Sequence, residues 1–313
     1  MKSRISQVIS ATTKSRNLEH VNSPLSEFYR SLEHFERRIY WTTFSKIAAV
    51  GDVERRENGM SFVQSSLFLF MALLAVSMEM DNEARNEIQK TIGYRLDETD
   101  VPAVLQDVTS RLPTSSASFK FLWVTRLVLR DGLNVENMKQ AADAMKLNIN
   151  VVTNNDTELT SVLNNMAVTI QYEPPDLSLL VLVPRGNSLR RLASRMTSTS
   201  LTEIYKRMKQ TRVAVTLPLY TLRMTLLLQN KLEQMGITKL FIPNTSNASG
   251  CEQCLLSHAV QRIMFWSEAG RHAFKDDGIQ WDPTPEREVI VNRPYLFYVR
   301  WKNITILNGN FVL

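Results

Sequence analysis

The chain has 313 residues, 44% hydrophobic and 22% charged, an ordinary globular composition that excludes a disordered or low-complexity protein. That length allows one large domain or two small ones, and a core of that size needs no disulfide staples. A net charge of +6 with a pI near 9.3 admits an anionic partner but is too mild for a dedicated nucleic-acid protein.

Met1 to His20 is polar and basic with no apolar run, so as it stands it is not a secretory signal peptide. Residues 1–24 read as a polar extension ahead of a folded domain over 25–313. The most apolar stretch is Phe62 to Met78. Gln64, Ser65 and Ser66 interrupt its first half and no basic residues clamp its ends, so it reads as a buried core helix rather than a membrane span. Next, Asp81 to Tyr94 alternates Glu83, Arg85, Glu87 and Lys90 with Ala84, Ile88 and Ile92, the pattern of a surface helix ended by Gly93.

Phe119 to Leu129, with Trp123, predicts a buried strand, and Asp131-Gly132 a turn. Asn134 then caps a helix through Met145, and Leu147 to Val152 alternates as a strand. After the breaker Glu173-Pro174-Pro175-Asp176, Leu177 to Val183 is a continuous β-rich run. A helix over Leu201 to Met208, a strand over Arg212 to Leu219 and a helix over Thr225 to Met235 closed by Gly236 follow. The tail, Val289 to Val299 and then Trp301 to Leu307, reads as a β-hairpin. Strands and helices mixed without regular βαβ alternation predict an α+β fold.

Little chemistry is visible. Cys251 and Cys254 supply at most half of a zinc site, so no metal or cofactor is expected. His20, His34, His258 and His272 have no nucleophile or metal triad beside them in sequence, and no Gly-x-Ser-x-Gly occurs, which argues against an enzyme. Asn155, Asn244, Asn247 and Asn303 head Asn-x-Ser/Thr sequons, candidate glycosylation sites in a secreted chain. Arg185, Arg190, Arg191, Arg195, Lys206, Arg207, Lys209 and Arg212 crowd a short stretch. Such a cluster suits a sulfated polysaccharide, with a solvated helical face as the plainer alternative.

Three segments carry a family resemblance. Val291-Asn292-Arg293-Pro294-Tyr295-Leu296-Phe297-Tyr298-Val299 resembles the Arg-Pro-Phe-Leu-Phe strand of the serpins, and Ile306-Leu307-Asn308-Gly309 their closing Leu-Phe-Gly strand. Val215-Thr216-Leu217-Pro218-Leu219-Tyr220, then Leu232 to Ile237 and Leu240-Phe241, is similar to the family's Leu-Pro-x-Phe strand and the Leu-Gly-Ile that follows; Asn247 to Gly250 falls where a small-residue turn lies. The helix from Ser65 to Met78 is the third match. The resemblance implies a serpin-like fold, helices on mixed and antiparallel sheets, in an extracellular monomer that meets a protease or another protein ligand; a cytoplasmic location is the alternative.

The same resemblance implies an exposed reactive loop at about 270–288, fed by the strand Ser257 to Trp266, with Glu268-Ala269-Gly270 as hinge and Pro283-Thr284-Pro285 near the scissile position. Inhibitory serpins insert this loop into the central sheet, burying alternate small hinge residues. Here the hinge reads Gly270-Arg271-His272-Ala273-Phe274-Lys275-Asp276-Asp277-Gly278, which opposes burial. Ser65-Ser66 replaces the family's Ser-Pro, Phe68 a small serine, and Gln261-Arg262 its His-Lys. The chain is shorter than a typical member, the deficit falling between Val152 and Leu177, where Asn164 to Ala167 reads as the remnant of a central strand. Part of the central sheet is therefore expected to be missing. A serpin scaffold without inhibitory insertion is the expectation; a protease inhibitor using the exposed loop is the alternative.

Overall fold

The computed structural model describes residues 4–7, 23–94, 97, 99–115, 121–130, 135–152, 176–184, 186, 188–208, 213–218, 220–241, 256, 258–267 and 287–312. The expected central-strand remnant and the four sequence residues 131–134 lie outside them.

The fold is organised around two long-range anchors, a first helix and an all-buried third one. Helix α1 (Pro24–Ala48) starts at Ser23, whose hydroxyl accepts from Ser26 N–H, with Pro24 in the first turn, where a missing N–H costs nothing. It presents Phe28, Leu32, Phe35 and Ile39 to α3 (Ser66–Ser77) and a second stripe, Tyr40, Phe44 and Ala48, to a sheet. Nearly every residue of α3 is buried, as expected of a helix apolar on all sides, and Arg85 closes its end by donating to the carbonyls of Ser77 and Met80 at 3.0 Å each. Among the described residues no helix is long and apolar enough to cross a membrane.

Short α2 (Val53–Asn58) lies between α1 and β2 (Phe62–Gln64). Helix α4 (Asn82–Ile92) begins at Asp81, whose carboxylate accepts from Ala84 N–H at 2.8 Å, and ends at Gly93 with φ +70°, a backbone state that favours glycine. α5 (Val101–Ser110) and α6 (Glu136–Ala144) pack on α3 and on each other. Two expectations shift here. Residues 121–124 are not strand; β3 begins later (Thr125–Arg130), because Trp123 and Phe121 are used to stack on Phe68 of α3, at 4.8 and 6.2 Å between ring centres. The residue at the N-cap of α6 is Val135, which has no side-chain cap.

β4 (Leu147–Val152) runs parallel to β3. β5 (Leu177–Leu182), α8 (Leu201–Arg207) and β6 (Val213–Thr216) fall close to the expected places, with the unexpected helix α7 (Leu189–Met196) between β5 and α8. The helix expected over Thr225 to Met235 does not: β7 (Tyr220–Leu227) continues through Leu227, and only α9 (Gln229–Met235) is helical. The reason is tertiary, since Thr225, Leu226 and Leu227 pair with Arg262, Gln261 and Val260 of β8 (Val260–Ser267). Gly236, φ +103°, ends α9 as expected. Arg38 of α1 joins the ends of α4 and α9, donating to Thr91 O at 2.7 Å and Met235 O at 3.0 Å, a cation placed on two helix C-termini.

β9 (Arg287–Ile290), β10 (Tyr295–Trp301) and β11 (Ile304–Phe311) complete the chain. The last two form the expected hairpin at the centre of an antiparallel sheet ordered β2-β11-β10-β5. A second sheet has the order β1-β6-β9, in which β1 (Arg4–Gln7), from the polar extension, runs antiparallel to β6 and β9 parallel to it. β3-β4 and β7-β8 are two further ladders; among the described residues no pairing joins them.

Candidate functional site

The segment of interest, 268–286, lies outside the described residues, and with it Glu268, Gly270, Arg271, Phe274, Pro283, Thr284 and Pro285. Its frame is described on both sides. β8, before it, belongs to the β7-β8 ladder and β9, after it, to the three-stranded sheet, so the flanking strands lie in different sheets. Arg287 and Glu288, expected to close the loop, already belong to β9.

β8 is firmly seated. Ile263 and Phe265 point into the core, and Phe265 stacks on Phe297 of β10 with ring centres 5.4 Å apart and planes at 17°. Gln261 uses both ends of its amide on one residue: Oε1 accepts from Ser65 N–H at 2.8 Å and Nε2 donates to Ser65 O at 2.9 Å. Ser65 Oγ in turn donates to Ile306 O at 2.6 Å. The strand that feeds the segment is thereby tied to the start of α3 and, through it, to β11. On the far side, Val291 N–H donates to Thr216 O at 2.9 Å and fixes the end of β9, whose Val289 and Ile290 are exposed.

The basic stretch is divided by the fold. Arg191 and Arg195, one helical turn apart on α7, are exposed, and α7 contains no acidic residue. Arg190 is half-buried: its Nε donates to Arg56 O of α2 at 2.7 Å and its guanidinium lies 6.0 Å from the centre of the Phe44 ring. The main chain of Arg56, an exposed residue of α2, thus meets α7, which local sequence spacing does not reveal. Lys206 and Arg207 are exposed at the end of α8, a separate helix; Lys209 lies outside the described residues.

Of the four sequons only Asn303 is described; it is exposed in the two-residue turn of the β10-β11 hairpin, beside Lys302 with φ +52°. Cys251, Cys254, His20 and His272 lie outside the described residues, and among the described ones no group of three metal-binding side chains occurs.

The family model for serpins (serine protease inhibitor) matches residues 143–312, more than half of the chain. The chain belongs to the serpin family. Iripin-5 of Ixodes ricinus is 23% identical over 209 residues, a match covering 63% of this serpin and 52% of that relative, so the aligned part spans about half of the relative's length. Among solved structures, Serpin48 of the insect Tenebrio molitor superposes with a TM-score of 0.72 at 14% identity, covering 94% of this chain and 99% of that one. The thermophilic serpin tengpin in its native state gives 0.70 at 15% identity, covering 90% and 94%. Native protease nexin-1 with heparin gives 0.68 at 16% identity, covering 93% and 100%. At these identities the likeness establishes the fold, an α+β serpin fold of helices with mixed and antiparallel sheets.

Proposed function

We propose that this serpin is a non-inhibitory member, an extracellular monomer without enzymatic activity whose loop over about 270–288 is recognised by a protein ligand and does not insert. The observation that carries the reading is the hinge. Insertion would bury Arg271 without a partner, at a cost on the order of several kcal/mol, and Phe274 and the run Lys275-Asp276-Asp277 oppose it further. Gly278 and Pro283 break strand geometry beyond them. The Gln261 amide ties β8 to Ser65 at the start of α3. Exposure of Asn303 supports a glycan there.

The test is incubation with a panel of serine and cysteine proteases, read on a denaturing gel. The expected result is cleavage between Arg271 and Arg287 with no covalent band heavier than either partner and no rise in melting temperature. A covalent complex would overturn the reading and make the chain a serine-type endopeptidase inhibitor acting through its exposed loop.

A second reading is favoured by the arginines of α7. Arg190, Arg191 and Arg195 offer forked donors suited to sulfate groups, and Arg190 is already held in place by Arg56 O and Phe44. Under this reading the partner is a sulfated polysaccharide. Retention on immobilised heparin is expected to fall with salt, and Arg191→Ala with Arg195→Ala to elute at clearly lower salt, while Lys206→Ala with Arg207→Ala has the smaller effect. Equal elution of all three proteins would remove α7 as the site.

A further inference from the structure

Between α1 and the sheet β2-β11-β10-β5 a polar seam runs beside the apolar contacts. On α1, Glu36, Tyr40 and Thr43 form one buried stripe. Opposite them stand Gln64 of β2 and Asn308 and Asn310 of β11, all buried. Register puts these on one face, since Asn308 pairs with Gln64 and Asn310 with Phe62, which packs against Tyr40. Few of these groups find one another. Asn308 Nδ2 donates to Glu36 Oε1 at 3.3 Å, Ser66 Oγ lies 3.5 Å from Asn308 Oδ1, and Asn310 Nδ2 donates to Met60 O at 2.7 Å. Tyr40 Oη, Thr43 Oγ1, both amide atoms of Gln64 and Asn310 Oδ1 have no protein hydrogen-bond partner.

Buried polar atoms without partners are costly in that number, so the seam is a weak join in an otherwise apolar core. We propose that this seam acts as a pH-sensitive latch, in which neutral Glu36 holds α1 against the C-terminal hairpin and loss of its proton loosens that contact.

The charges around Glu36 are mixed. Arg37 and Glu33 face it from α1, Arg300 and the Tyr298 phenol from β10, and the Thr305 hydroxyl, which hydrogen-bonds its carboxyl, from β11. Burial dominates, pushing the carboxyl from its ordinary 4.5 up to about 8 against the pull of Arg300, with Glu33 adding to the rise. The nearby carboxyl also raises the Tyr298 phenol, after burial. The unfolded chain gives up the Glu36 proton near 4.5, the folded chain near 8. Between those values the folded state binds more protons, so stability falls as pH rises, by about tenfold in the unfolding constant per pH unit.

The test compares wild type with Glu36→Gln in urea titrations across that range. Relative to the variant, the wild-type unfolding constant is expected to rise about 400-fold from about pH 5 to about pH 8. Protection of the Leu296 to Val299 amides against hydrogen exchange, corrected for intrinsic rates, is expected to drop above pH 8 in wild type alone. Should the variant not fold, wild type is measured by itself: a difference infrared spectrum between neutral and alkaline pH is expected to show a buried carboxylic-acid carbonyl disappearing with the loss of protection. Parallel pH profiles would overturn the proposal. So would stability that rises with pH, which would mean an ionised Glu36 paired with Arg37 or Arg300, or an infrared spectrum with no such carbonyl.

Discussion

Gly309→Ala is expected to leave this serpin unable to hold its native sheet. A Cβ on Gly309 would sit 2.1 Å from the carbonyl oxygen of Phe62 and 3.0 Å from Cζ of Phe297. Both obstacles are fixed: Phe62 belongs to β2, paired to one edge of β11, and the Phe297 ring is held between Phe265 and Tyr220. Relief requires parting β11 from β2, so the cost should reach or exceed the upper end of ordinary overpacking, about 3 kcal/mol. Urea unfolding measures it. Gly186→Ala, where an added Cβ meets nothing within 4 Å, should change the midpoint very little. Gly236→Ala, whose Cβ would make only an ordinary contact with Thr91 Oγ1 at 3.6 Å but sits at φ +103°, should lose about 1 kcal/mol through backbone strain. A Gly309→Ala protein as stable as wild type would mean that the hairpin does not lie against β2 in this register.

The contrast between these glycines shows what a sequence carries and what it does not. Gly93 and Gly236 are legible because each ends a helix whose own pattern announces the end. Gly309 is legible only as part of a family-like strand ending, since the atoms that forbid a side chain there come from residues 62 and 297. Phe62 to Met78 was readable because a run apolar on all sides has few destinations other than the core. Thr225 to Leu227 was not, because their β conformation is imposed by Val260 to Arg262, far along the chain. The polar seam is the extreme case. Glu36 sits in α1 among residues that look solvated, and it is the distant Asn308 and Thr305 that make its position an interior one. In the same way the main chain of Arg56 meets α7 only through the packing of α2 on α7.

Gln261 is the residue whose replacement should most directly loosen the strand that leads into the loop. Ser65 is buried, and both of its main-chain polar groups rely on the Gln261 amide; the other donor to its carbonyl, Leu69 N–H, is 3.5 Å away. Gln261→Leu keeps the bulk of the side chain but strands a buried N–H and a buried carbonyl, each worth about 1–3 kcal/mol when left unpaired, so a total loss of about 2–5 kcal/mol is expected. Gln261→His, which installs the family's usual residue, can replace one of the two bonds with a single ring nitrogen and should lose about half as much. The location of the loss distinguishes a local clamp from general damage. Hydrogen exchange should quicken first at Ile263 to Phe265 of β8 and at the first turn of α3, with the β10-β11 hairpin close to wild type. If the clamp also restrains β8 against displacement, the Leu variant should be cleaved faster between Arg271 and Arg287 at protease concentrations where wild type is cleaved slowly. Unchanged cleavage with lowered stability would restrict Gln261 to the fold, and unchanged stability would mean that Ser65 finds other partners in solution.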